Sequence, residues 1–108
     1  MIMNELLKNE YNGIIVSDTL EEKILNMWSI VKENVFKDND ILSEFISTQK
    51  NKLYEYHFGL GLYLRNNFIY PDKELYREFN ECGVIHNDDI SSIMIQIWHR
   101  ALQEGRIK

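Results

Sequence analysis

The chain has 108 residues, 44% hydrophobic and 27% charged, with five Phe, six Tyr and two Trp. That is the composition of one self-supporting domain, and it excludes both a disordered chain and a second core. The formal net charge of −5 falls as −4 over residues 1–50 and −1 over residues 51–108. An acidic chain without a basic stripe is a poor candidate for nucleic acid, whose binding draws most of its affinity from neutralised phosphates.

The lone cysteine, Cys82, has no partner for an internal disulfide, so nothing points to an oxidising compartment. No apolar run approaches the roughly eighteen residues of a membrane helix, and the start carries Asn4, Glu5 and Glu10 rather than a basic leader. No membrane association is expected. The location expected is the cytoplasm, bacterial or that of a phage-infected host.

In chain order, residues 1–17 read as an irregular N-terminal segment: a short amphipathic piece around Leu6 and Leu7, a turn at Tyr11-Asn12-Gly13, and the apolar run Ile14-Ile15-Val16. A helix follows. Asp18 with Glu21 and Thr19 with Glu22 have capping-box spacing, and Leu20, Ile24, Met27, Trp28, Val31 and Val35 fall on one helical face. Residues 37–40 break it. Asp40 can cap a second helix with Ile41, Leu42, Phe45 and Ile46 towards the core.

Residues 54–67 fit two periods. Tyr56, Phe58, Leu60, Leu62 and Leu64 alternate as in a strand, and Gly59 and Gly61 weaken a helix. Yet Phe58–Leu62 and Leu60–Leu64 are i,i+4 pairs, and a solitary strand would leave its backbone groups unpaired. The segment is assigned as a helix, the central one, with its glycines admitting a close neighbour. Pro71-Asp72 then starts a short helix with Leu75, Phe79 and Cys82 inward, ended by Gly83. Asn87 or Asp88 caps the last helix, whose residues Ile90, Ile93, Met94, Ile97, Trp98, Ala101 and Leu102 form the cleanest stripe in the chain. His99 and Arg100 lie beside that stripe, towards solvent. The expectation is an all-α, compact single domain of four to five helices over residues 1–108, with Trp28, Val31, Phe45, Leu60, Leu64, Phe79, Ile93, Ile97 and Trp98 in its core.

Two segments carry more than packing: His57-Phe58-Gly59-Leu60-Gly61-Leu62-Tyr63-Leu64-Arg65-Asn66-Asn67 and Gly83-Val84-Ile85-His86-Asn87-Asp88-Asp89-Ile90-Ser91. Together they resemble the signature of a family of small bacterial domains of unknown function. That signature runs His-Phe-Gly-Leu-Gly-x-x-Ile-Arg-Asn-Asn, then Gly-Ile-x-His-Pro-Asp-Asp-Met-Ser. The likeness covers residues 54–104. Asn87 stands where the family has Pro, Ile90 where it has Met, and Phe68 where a Trp follows the first motif. The resemblance implies a domain and no activity.

His57, Arg65, Asn66, Asn67, His86, Asp88 and Asp89 match the polar positions of the signature. If the two motifs meet, one arrangement is a structural network in which Arg65 pairs with Asp88 or Asp89, locking the last helix to the central one. Arg65→Ala would then cost roughly 3–5 kcal/mol if the pair is buried. The other is a cleft, with Arg65 orienting a carboxylate or phosphate and His57 or His86 acting as acid or base. Burial and satisfaction of Arg65 would weaken the second; an open pocket with an unpaired His57 would favour it.

Gly59 and Gly61 lack the third glycine of a dinucleotide fingerprint, no Walker sequence exists, and His57, His86 and His99 have no metal-ligand spacing. No cofactor and no metal are expected. Two functions remain. The first is a non-enzymatic protein-binding module, such as an inhibitor or immunity-type protein of a bacterial or phage conflict system, anti-CRISPR inhibitors among them. Its candidate contacts are the acidic face Glu21, Glu22, Glu33, Asp38, Asp40 and Glu44, with the tyrosines Tyr54, Tyr63, Tyr70 and Tyr76. The alternative is a small hydrolase or ligand-binding domain using the His57, Arg65, His86, Asp88 and Asp89 cleft.

Overall fold

Asn12 and Gly13 both have positive φ, 54° and 79°, as a two-residue turn of mirror-image type requires. They join β1 (Glu10–Tyr11) to β2 (Ile14–Ile15) in an antiparallel hairpin with Tyr11 opposite Ile14. The computed structural model describes residues 9–108; the amphipathic piece expected around Leu6 and Leu7 lies outside them. Within the stretch read as irregular, Tyr11 and Val16 are fully buried. The strands are too short for their period to show in sequence.

Ser17, rather than Asp18 or Thr19, caps α1 (Asp18–Asn26), its hydroxyl accepting from the Leu20 N–H at 3.2 Å. The single helix expected through Val35 is two, since α2 (Trp28–Val35) starts anew after Met27. The cause is a side chain. The Trp98 indole N–H donates to the Ile24 carbonyl at 2.7 Å, and the Met27 N–H turns in to the same oxygen at 3.1 Å. An intruding donor of this kind breaks the helical ladder. Asp38, rather than Asp40, caps α3 (Asn39–Ser47). Phe45 of α3 is buried, while Ile41, expected inward, is 49% exposed.

Residues 50–69 form one irregular helix, α4. Its turns are 3-10 over Lys50–Tyr56, π over His57–Gly61, α over Leu62–Leu64 and π again over Arg65–Ile69. Asp72 caps α5 (Lys73–Glu81), accepting from Leu75 N–H at 3.0 Å. Gly83, at φ 95°, ends it, with Val84 N–H reaching back to the Phe79 carbonyl. The last helix, α6 (Asn87–Gln103), has His86 at its cap position, with no side-chain cap bond from Asn87 or Asp88.

The centre is α6 and not α4. Eleven residues of α6 between Ile90 and Leu102 are buried, and the helix packs on α1, α3, α4, α5 and β1. In α4, Leu60 and Leu64 face inward but Phe58 and Leu62 do not. Trp28, Val31, Phe45, Leu60, Leu64, Phe79, Ile93, Ile97 and Trp98 are all buried, as expected of the core, whereas Leu42, Ile46 and Cys82 are only half-buried. The fold is mostly all-α around one core, and its 13.3 Å radius of gyration is that of a single packed domain.

Candidate functional site

The two motif segments meet where the middle of α4 crosses the first turns of α6, and Arg65 joins them. Its guanidinium is buried, donating from Nη1 to Ser91 Oγ at 3.0 Å and from Nη2 to the His57 carbonyl at 3.3 Å. Its Nε lies 3.6 Å from Asp88 Oδ1. Ser91 Oγ in turn donates to the Asp88 carbonyl at 2.9 Å, tying the receiver to the first turn of α6. Gly61 makes the room: a Cβ there would sit 3.0 Å from Arg65 Nη1, 3.5 Å from the Tyr56 carbonyl and 3.7 Å from Ser91 Oγ. Of the two glycines expected to admit a neighbour, Gly61 does so and Gly59 faces open space.

The expected partnership of Arg65 with the Asp88–Asp89 segment therefore exists, but its burial is one-sided. The Arg65 side chain is 8% exposed and that of Asp88 67%. Asp89 is exposed and forms no ion pair with Arg65 among the described residues. Asn66 and Asn67, assigned to the same network, are exposed, and the Asn67 amide donates to its own helix at the Tyr63 carbonyl, 2.8 Å away. The Asn67 bond stays within α4 and does not join Arg65 to α6.

Above Arg65 a groove of about 390 Å³ runs between α4 and α6. Leu53, Tyr54, His57 and Phe58 form one wall; Asp88, Asp89, Ser91, Ser92 and Ile95 form the other. It continues past Leu53, Tyr54 and Ser92 into a second recess of about 460 Å³, bounded by Asn12, Lys50, Asn51 and Gln96. Phe58 is 82% exposed and Tyr54 72%, the most exposed large apolar side chains described. The His57 ring lies edge-on to Phe58, centroids 4.9 Å apart. So His57, Asp88 and Asp89 share the groove. Arg65 lies beneath it, and exposed His86 does not line it.

Elsewhere the structure sorts the remaining candidates. Glu21 does not belong to an exposed acidic face. It is buried, accepting from the Tyr11 hydroxyl at 2.6 Å, with Arg106 Nη1 3.4 Å from its other oxygen. Glu22, Glu33, Asp38, Asp40 and Glu44 are exposed. Tyr70 is 55% exposed; Tyr63 is half-buried against Phe68, and the half-buried Tyr76 spends its hydroxyl on the Ile85 carbonyl. His99, expected at the surface, is 3% exposed. Its Nε2 lies 2.8 Å from the Thr48 carbonyl, and its ring meets Phe45 edge-on. Burial lowers its pKa below the usual value, against the opposing pull of the Thr48 and Ile46 carbonyls.

Tyr54 is among the candidate contacts, but sequence reasoning missed Phe58, Ser92 and Gln96 as groove residues. A signal existed for Phe58. Read as a helix, the i,i+4 pairs Phe58–Leu62 and Leu60–Leu64 point to roughly opposite sides, and a helix packed on one side leaves one such pair in water. Among the described residues, no group of three or more His, Cys, Asp and Glu could hold a metal ion. No helix among them is long and apolar enough to cross a membrane.

No curated protein and no solved structure matches the chain. A family model does match, over residues 18–102, and both motif segments lie inside that span. The chain belongs to the family described as domain of unknown function DUF6794.

Proposed function

We propose that this chain is a non-enzymatic protein-binding module whose contact surface is the groove between α4 and α6. One observation carries the reading. Phe58 and Tyr54, 82% and 72% exposed, stand on the motif-bearing stretch of the domain and lean over an apolar floor. Exposed aromatics around a concave apolar patch with a polar rim are how protein interfaces anchor. The buried, three-partnered state of Arg65 supports the same reading, since it takes the motif's guanidinium out of the cleft. An inhibitor or immunity-type role, anti-CRISPR inhibition included, would be this binding put to blocking use.

The enzyme alternative keeps one observation in its favour: the His57 imidazole lines the groove beside Asp88 and Asp89, with no hydrogen bond to it among the described residues. A single experiment separates the two. The wild-type chain is used to capture partners from its native host, alongside Tyr54→Ala/Phe58→Ala and His57→Ala. A stoichiometric partner retained by His57→Ala and lost by the aromatic variant is expected. Turnover of a defined substrate, abolished by His57→Ala with the fold intact, would overturn the reading.

A further inference from the structure

We infer that the groove takes a basic segment of a partner protein, laid along it with one lysine or arginine side chain between the Phe58 ring and the Asp88–Asp89 carboxylates. The inference rests on the protein-binding reading above and adds the chemistry of the partner.

Three independent features of the groove agree. The first is charge. Asp88 has one oxygen near Arg65 and is otherwise open to water, and Asp89 is exposed without an ion pair to a described residue. An acidic partner would meet both carboxylates and a chain of net charge −5; a basic one would be drawn in and held. The far recess carries Lys50, so the groove is polarised along its length. That polarity puts the partner's cation at the Asp89 end and its carbonyl oxygens or an acidic group at the Lys50 end.

The second is aromatic surface. A guanidinium or ammonium group is attracted to a ring face, and Phe58 and Tyr54 offer two exposed rings within reach of the same carboxylates. The ring walls suit the methylene stem of a long cationic side chain, and the carboxylates suit its head.

The third is an unspent hydrogen bond. Gln96 lines the second recess at 8% exposure, and its side-chain oxygen has no hydrogen-bond partner among the described residues. Among the described residues its amide nitrogen reaches only Ser92 Oγ, at a long 3.4 Å. Buried amides of this kind are normally satisfied, and the group can turn about its last torsion to present either atom. A peptide backbone passing Tyr54 and Ser92 supplies the missing N–H.

The test is selection of short peptides from a random display library on the full chain, followed by titration of selected sequences into isotopically labelled protein. Enriched sequences are expected to share a Lys or Arg next to an apolar residue, and to move the amide signals of Tyr54, Ser92 and Gln96. Their affinity should drop roughly ten-fold in Asp88→Asn/Asp89→Asn and weaken with added salt, as contacts to rim charges do. Exchanging the basic residue for Glu should abolish binding. Absence of enrichment, neutral or acidic ligands, or signals confined to another face would each sink the inference. A partner lost in Tyr54→Ala/Phe58→Ala but indifferent to Asp88→Asn/Asp89→Asn would sink it too, while leaving the protein-binding reading intact.

Discussion

At the scale of single residues, the molecule turns on how Arg65 is held. Its partners are a hydroxyl, a carbonyl and a largely solvated carboxylate, so removing the guanidinium strands no buried charge. Arg65→Ala should therefore cost about 2–3 kcal/mol, from the vacated space and the lost hydrogen bonds. That is less than the roughly 3–5 kcal/mol that breaking a fully buried ion pair would cost. Asp88→Asn should cost under about 1 kcal/mol, as exposed pairs do. Urea denaturation of the two variants checks both, and a larger effect for Asp88→Asn would contradict the one-sided burial. Gly61 and Gly59 make a second pair. A Cβ at Gly61 presses on a guanidinium pinned from three sides, so Gly61→Ala should destabilise by about 1–2 kcal/mol despite the better helix propensity of alanine. Gly59→Ala meets nothing within 4 Å and should be neutral or stabilising by up to about 1 kcal/mol. Equal melting shifts for the two would refute the close approach.

At the scale of elements, His99 couples α6 to the end of α3. The imidazole holds the Thr48 carbonyl just before α4 begins. Because burial keeps its folded pKa below the unfolded value of about 6.5, the unfolded chain takes up the proton first as pH falls. The stabilisation is therefore complete above about pH 6.5 and is lost as pH falls from there through the folded pKa. Melting temperature against pH should show this decline, and His99→Gln should lack that component from a lower starting stability. A variant with an unchanged slope would place the titration elsewhere.

The helices themselves were largely legible. Periodic stripes and short-range caps are local, so α5 with its Asp72 and Gly83 ends, the stripe of α6 and the core list could all be read from residue spacing. What failed depended on distant partners. The break at Met27 is made by Trp98 from another helix, and the burial of Glu21 by Tyr11 and Arg106. The mixed turns of α4 blurred its period, since 3-10 and π turns have no 3.6-residue signature. Of the candidate site, the meeting of the two motifs followed from their resemblance to a family. The groove, which needs the side on which Phe58 emerges, did not.

At the scale of the whole molecule, the hairpin is fastened to the last turns of the chain. The Tyr11 hydroxyl donates to buried Glu21, Arg106 approaches the same carboxylate, and Arg100 lies over the Tyr11 ring, 4.2 Å from its centroid. Burial first, and Glu21 second, hold the Tyr11 pKa well above that of a free phenol, so the hydroxyl remains a donor. Tyr11→Phe leaves a buried carboxylate oxygen without its donor and should cost about 1.5–3 kcal/mol, read from chemical unfolding. A neutral outcome would mean that Arg106 alone satisfies Glu21. The placement of α6 has a kinetic side. The helix on which the others converge follows them all in sequence, and its ties run far back along the chain, 74 residues from Trp98 to Ile24 and 90 from Arg100 to Glu10. Such separations raise contact order above that of a bundle built from neighbouring helices, and they slow folding accordingly. During synthesis the apolar faces of α1, α3, α4 and α5 emerge before the surface that covers them, and they stay open to water until α6 has followed.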